Sequence, residues 1–223
     1  MENSAIKFSQ RKIKKNYRSI TGHFPSIKNN TSIGFESKLE KAHFLFLEFD
    51  NEVISYQEQP QIEIGINGKD KIYSADCYIK RAKTSLKKDS IVEVKYTNEI
   101  EKRKDYFEKK FEAAKTSVNK LNLDFEVYTE KIHSEIYLDN LDFLYRYKLQ
   151  PIENKYEDQI LATIINKNNK ISAFDLANLI SKNPIEYGLI SNCIWDLVCK
   201  EKLKTNLELA RITMNSLVEL YYE

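Results

Sequence analysis

Asp76, Glu93 and Lys95 are the residues of this 223-residue chain whose types and spacing point to chemistry. Asp76 lies in the run Lys71-Ile72-Tyr73-Ser74-Ala75-Asp76-Cys77-Tyr78-Ile79. Glu93 and Lys95 lie two apart in Ser90-Ile91-Val92-Glu93-Val94-Lys95-Tyr96. Both runs read as strands. Alternation along a strand puts residues i and i+2 on one face, so Glu93 and Lys95 project together and Val92, Val94 and Tyr96 face the other way. Charged side chains on a short β-branched strand are costly to bury without partners. A divalent metal beside Asp76 and Glu93 supplies one, and Lys95 then faces a phosphate or an attacking water. Hard oxygen ligands suit Mg²⁺, which takes one or two carboxylates plus phosphate and water. Such an ion polarises a phosphoryl oxygen and acidifies a bound water. The lysine adds positive charge where a phosphoryl transition state grows more negative. The plain alternative is a solvated strand face with a Glu/Lys pair.

The surrounding pattern supplies elements that could position these groups. Residues 35–50 read as an amphipathic helix, with Phe35, Leu39, Ala42, Phe46 and Phe49 at helical spacing. Glu36 and Glu40 are four apart and stack on one face of it, so one carboxylate can enter a site from this helix. His43 on the same helix reads as a partly buried residue rather than a ligand. Strand-like runs follow over 53–59, ended by Pro60, and over 61–66. Asn67-Gly68 is a two-residue hairpin signal that returns the chain into the Asp76 strand. Residues 81–89 form a basic turn expected near DNA, with Lys87 and Lys88. A long charged helix is expected over about 98–121, with Tyr106, Phe107, Phe111, Ala114 and Val118 as its apolar stripe. A strand over 124–129 and a helix over 137–147 complete an α/β core.

The two ends of the chain differ from this core. Within residues 1–30, Lys7, Arg11, Lys12, Lys14, Lys15, Arg18 and Lys28 face one acid, Glu2, with Ile13, Tyr17, Ile20 and Phe24 interleaved. This stretch is either an arm that follows a phosphate backbone or a solubilising tail. The DNA-contacting residues expected are Lys12, Lys14, Lys15, Arg18 and Lys28, with Lys87 and Lys88 from the turn. After Leu149-Gln150-Pro151 the pattern turns helical. Helices are expected over 156–166, 173–180 (capped by Ser172) and 186–200 (restarted at Asn183-Pro184), and residues 203–213 suit a small wing. This is a winged-helix pattern, poor in basic side chains on its third helix, so protein docking suits it as well as DNA reading. The expected division is a basic arm over 1–30, a catalytic domain over 31–149 and a docking domain over 150–223.

Composition narrows the classes. A hydrophobic fraction of 42% supports a real core. Net charge is +2, so a nucleic-acid footprint has to come from local clustering. Cys77, Cys193 and Cys199 are odd in number and lack CxxC spacing, which argues against a disulfide framework or structural zinc. No long apolar run suggests a membrane span. A soluble cytoplasmic, nucleoid-associated protein is expected.

The layout of an acid, then Asp, a spacer and Glu-x-Lys resembles the signature of restriction-endonuclease-like nucleases. More specifically, Phe35-Glu36-Ser37-Lys38-Leu39-Glu40, Leu47-Glu48-Phe49-Asp50, Val53 through Tyr56-Gln57-Glu58-Gln59-Pro60, Tyr73-Ser74-Ala75-Asp76 and Val92-Glu93-Val94-Lys95 resemble the TnsA endonuclease subunit of heteromeric transposons. Ile20-Thr21-Gly22-His23-Phe24-Pro25-Ser26 is similar to that family too. The resemblance implies a restriction-endonuclease-like fold, a mixed central sheet flanked by helices, plus a winged-helix-like C-terminal domain. It places the family's catalytic acid on Glu40, its aspartate on Asp76, its Gln-or-Glu on Glu93 and its lysine on Lys95, with Glu36 one turn earlier as support. Where some members carry Gln, Glu93 adds a metal-binding charge. The implied metal ligands are Glu40, Asp76, Glu93 and the Val94 carbonyl, holding Mg²⁺ with Mn²⁺ able to substitute. The implied activity is hydrolysis of the DNA phosphodiester at the 5′ ends of a transposon. The implied partners are double-stranded DNA, a TnsB-like DDE transposase and a TnsC-like AAA+ ATPase, and no membrane. The rivals are a stand-alone restriction-like repair or defence nuclease and a non-catalytic winged-helix DNA-binding or scaffold protein.

Overall fold

The computed structural model describes residues 6–8, 20–66, 68–167 and 170–221. Lys12, Lys14, Lys15 and Arg18 of the basic arm lie outside the described residues. The chain forms two compact units, Met1–His133 and Ser134–Glu223. The sequence pattern suggests a division at 149/150; the helix that ends there falls in the second unit.

The first unit begins with β1 (Lys7–Phe8), then the hairpin of β2 (Gly22–Ser26) and β3 (Thr31–Phe35). Helix α1 (Lys38–Phe49) starts later than the periodicity predicts, because Phe35 ends a strand and Ser37 is the N-cap. β4 (Val53–Glu58), β5 (Pro60–Ile66), β6 (Lys69–Ser74) and β7 (Cys77–Arg81) follow, then β8 (Ser90–Val94). The helix expected over 98–121 is two helices, α2 (Thr97–Lys102) and α3 (Lys104–Lys120), broken at Arg103. The cause is packing. No residue of α2 is buried, and the stripe that anchors α3 begins at Phe107 and continues through Ala114 and Val118. β9 (Asp124–Tyr128) closes the unit.

Two sheets share one bent hairpin. β5 pairs with β1 and β6, while β4, β7, β8 and β9 form a mixed sheet in that order. β4/β7 and β7/β8 are antiparallel; β8/β9 is parallel, with α2 and α3 as the crossover. The run expected as one strand through Asp76 is thus two, β6 and β7, bent at Ala75-Asp76. The facing arm bends at Gln59, whose φ is 53°. Pairing holds through the bend: the Gln59 N–H donates to the Asp76 carbonyl at 3.1 Å, and the Ala75 N–H to the Pro60 carbonyl at 3.0 Å. The chain reverses where expected, since Ile66 pairs with Lys69 and Gly68 has φ 72°; Asn67 lies outside the described residues. Ile62, Ile64, Tyr73 and Ala75 of this hairpin pack with Ile91 and with Ala114 and Val118 of α3 in one buried cluster.

The second unit runs α4 (Glu135–Leu149), α5 (Glu157–Asn166), β10 (Lys170–Ser172), α6 (Ala173–Ile180), α7 (Pro184–Cys199), β11 (Leu203–Lys204) and β12 (Leu217–Leu220). β12 pairs with both β10 and β11. The caps are those the residues announce: Ser172 accepts from the Asp175 N–H, and Asn183 from the Ile185 and Glu186 N–H groups ahead of Pro184. Within this unit α4 packs on α7, with Phe143 edge-on to Trp195 at 5.8 Å. The three cysteines are free and buried. Among the described residues no helix is long and apolar enough to cross a membrane.

Candidate active site

The bend at Gln59 and Ala75-Asp76 creates the site. β7 pairs with β8 through Cys77 and Val92, and the Asp76 N–H still donates to the Val92 carbonyl at 3.1 Å. One step further along that register, Asp76 stands opposite Glu93. There the backbone turns away toward β6, and the Val94 N–H loses its backbone partner. The Asp76 carboxylate takes that place, with Oδ2 accepting the Val94 N–H at 2.7 Å. Asp76 is therefore held at the lip of the sheet by a hydrogen bond that only the bend requires. Among the described residues its Oδ1 accepts no hydrogen bond.

Directly opposed residues on neighbouring strands share a face, so Asp76 and Glu93 meet across the ladder. Lys95, two residues beyond Glu93, shares that face, and its Nζ is 4.0 Å from Glu93 Oε1. Alternation placed this pair correctly. Glu93 is buried, 3% exposed, and compensated on both oxygens. Tyr73 donates its hydroxyl to Oε2, and Lys110 of α3 donates to Oε1 at 3.2 Å. The Lys110 ammonium also lies 4.5 Å from the centroid of the Tyr73 ring, a cation–π contact.

Glu40 reaches the same region from α1. Its Oε2 accepts the Glu36 N–H at 3.0 Å, and Ser37 donates its hydroxyl to Oε1 while accepting the Glu40 N–H. This is a variant of the capping box, so Glu40 closes the helix start as well as facing Asp76. Glu36 precedes the N-cap. It is not one turn below Glu40 on the helix, as the spacing alone implies. Glu36, Glu40 and Asp76 nonetheless line one cavity of about 90 Å³, together with His23, Ser32, Gly34, Glu58 and Gln59. A single water needs roughly 10–15 Å³ of such space, so the cavity has room for several.

Electrostatics mark the acids as crowded. Burial first, then the charge of Glu93, pushes the Asp76 carboxyl up to about 7; the charge of Glu40 adds to the rise, while the Val94 N–H and Lys95 oppose it. Burial also raises Glu40, against its hydrogen bonds from Glu36 and Ser37. Burial and the neighbouring Glu93 raise Tyr73, so its hydroxyl keeps its proton and stays a donor. A strongly shifted acid in a cleft, as Asp76 is here, is characteristic of a functional site.

The donor chemistry fits a hard divalent cation. Asp76 offers an open carboxylate oxygen beside Glu93, and added positive charge relieves the repulsion that raises Asp76. The three acids are not a ready-made cage, since among the described residues no three His, Cys, Asp or Glu are grouped so that they could hold a metal ion. One or two carboxylates are enough for Mg²⁺ when phosphate and water complete the shell.

The expected DNA contacts in the described residues sit elsewhere. Lys28 turns inward and donates its ammonium to the Asp50 and Val53 carbonyls. Lys87 and Lys88 are exposed, but their loop joins the end of β7 to the start of β8, at the opposite end of both strands from Asp76 and Glu93. The residues that sequence reasoning missed are Tyr73, Lys110 and Gln59. In the sequence Tyr73 and Gln59 stand within runs that resemble the family but carry no role of their own, and Lys110 is one of many charges on a helix.

Residues 50–130 match the family described as TnsA-like endonuclease N terminal. This segment is similar to the N-terminal domain of TnsA-like endonucleases. No curated protein matches the chain. The TnsA-like segment contains Gln59, Tyr73, Asp76, Glu93, Lys95 and Lys110, and Glu40 lies before its start. The resemblance drawn from short motifs thus holds for the part of the chain that carries the Asp76–Glu93–Lys95 face.

Proposed function

We propose that the protein is the endonuclease subunit of a TnsA/TnsB/TnsC-type transposon and hydrolyses a DNA phosphodiester at the 5′ ends of the element. The observation that carries this reading is the placement of Asp76 opposite Glu93, with Lys95 on the same face, inside the TnsA-like segment. Asp76 and Glu93, with the Val94 carbonyl, would hold Mg²⁺ or Mn²⁺, and Glu40 would complete the site from α1. The bound ion would supply Lewis-acid polarisation of the phosphate and a more acidic water.

The chain's own groups do the remaining work. The Val94 N–H orients Asp76, while Tyr73 and Lys110 hold Glu93 in one rotamer. Lys95, on the face of both acids, keeps a positive charge where the attacked phosphate accumulates negative charge. A TnsB-like transposase would act on the other strand, and a TnsC-like ATPase would couple both to a target. The second unit, with helices α4 to α7 and a three-stranded sheet, would be the winged-helix-like module and serve for docking.

The deciding experiment is a strand-specific nicking assay on plasmid carrying the transposon ends, with the neighbouring transposase present. Asp76→Ala and Lys95→Ala should keep the wild-type circular dichroism and melting curve and lower 5′-end cleavage by about a thousandfold or more, the scale of losing a main electrostatic group. Cleavage at the normal rate by either variant would exclude the site. Efficient cutting by this protein alone would favour the stand-alone nuclease instead.

A further inference from the structure

Gln59 occupies a backbone conformation that its side chain does not favour. Its φ of 53° is in the left-handed region, where glycine is relaxed and most L residues are strained. The other described non-glycine residues with positive φ have ordinary reasons. Asn30 and Asn122 are the residue type that tolerates this region, and Glu201 follows the C-cap of α7. Gln59 is also constrained by the proline after it. Its N–H bonds the Asp76 carbonyl, so the strain is the cost of bending the hairpin where Asp76 must stand. A glycine would make the same bend without a side chain. Strain of this kind at a cleft points from geometry to function.

The side chain has a place to act. Extending the β4–β7 register one step sets Gln59 opposite Asp76, as Asp76 is opposite Glu93. Gln59 lines the cavity with Glu36, Glu40, Glu58 and Asp76. Those four acids repel a phosphodiester. The side chains on that lining able to donate a hydrogen bond are His23, Ser32 and Gln59, and of these Gln59 sits in the row of Asp76 and Glu93. We propose that the Gln59 side-chain amide contacts substrate, donating an N–H to a non-bridging oxygen of the DNA phosphate next to Asp76. This rests on the nuclease reading and adds a substrate contact to it.

The test uses the full chain with plasmid carrying the transposon ends and the transposase present. Gln59→Gly should raise the melting temperature, because the backbone strain is relieved, and lower kcat/KM by roughly tenfold or more, mostly through KM, as loss of a hydrogen bond to a charged group implies. Gln59→Asn, which tolerates the backbone and keeps an amide, should recover part of that loss. Gln59→Glu should be worse than Gln59→Gly, because it adds a fifth acid. If Gln59 only shapes the bend, Gln59→Gly keeps kcat/KM within twofold of wild type, and that result overturns the proposal. Equilibrium binding of the end DNA by fluorescence anisotropy separates the two readings. A wild type that binds DNA but never cuts it sinks the nuclease reading alone, whereas equal affinities of wild type and Gln59→Gly sink the Gln59 contact.

Discussion

Asp76 and Glu48 are both acids tucked into the first unit, and they are treated in opposite ways. Glu48 is 1% exposed and richly satisfied. It accepts from the Ser26 hydroxyl at 2.6 Å, the Tyr56 hydroxyl at 2.7 Å and the Ile27 and Lys28 N–H groups at 3.3 Å. It pins the β2–β3 turn to α1 and β4. Among the described residues Asp76 accepts one hydrogen bond, keeps an oxygen open to a cavity and faces two further acids. The far end of β7 resembles Glu48. Arg81 is buried between Asp50 at 3.4 Å and Glu126 at 3.2 Å, and Asp89 accepts the Arg81 N–H and the Tyr78 hydroxyl. One strand therefore has a compensated end and an uncompensated end. A fold gains nothing from crowding acids, so the uncompensated end is the one kept for a ligand.

Exchanging the Glu48 carboxyl for its amide breaks the comparison most directly. Glu48→Gln puts an NH₂ among donors and should cost about 2–3 kcal/mol, as for a buried charge-assisted hydrogen-bond set. Urea denaturation should show that loss, with cleavage by the surviving folded fraction unchanged. If Glu48→Gln left stability intact but stopped cleavage, the assignment of roles to the two acids would be reversed.

A smaller effect tests the support around Glu93. Tyr73→Phe removes the donor to Oε2 and keeps the ring under Lys110. It should lower Mn²⁺ affinity, read by titration calorimetry, and cleavage by about tenfold, the low end for residues that orient a metal ligand. Unchanged Mn²⁺ affinity would mean that Lys110 alone positions Glu93.

A separate effect is on pH dependence. His43 is buried on α1, its ring 4.5 Å from that of Tyr128. Burial first, then the charges of His133 and Arg81, lowers it to about 3 from 6.5. Between those values the unfolded chain binds a proton that the folded protein refuses. The stability contributed by neutral His43 is therefore complete above pH 6.5 and is lost as pH falls from there toward 3. His43→Phe should flatten the stability profile across that window in denaturant titrations. An equally steep profile in the variant would assign the acid loss to other groups.

Much of the site could be read before any coordinates. Strand alternation alone puts Glu93 and Lys95 on one face, and Asn67-Gly68 announces the turn. These features are local: each depends on a few bonded neighbours and a fixed repeat. The mistaken features were also local in origin. Helical spacing ran through Phe35 into a strand and through Arg103 across a break, because periodicity does not say where packing stops.

What only the tertiary structure decided is the company each charge keeps. Asp76 meets Glu93 because β7 pairs with β8 in one register, and a shift of one residue would turn the two acids to opposite faces. Tyr73 and Lys110 close on Glu93 because α3 packs on the β5–β6 arm. Gln59 stands beside Asp76 because both arms of a hairpin bend at the same level. Register, packing and bending join residues far apart along the chain, and no short-range pattern encodes them. The residues named the chemistry, and the fold chose which of them could perform it together.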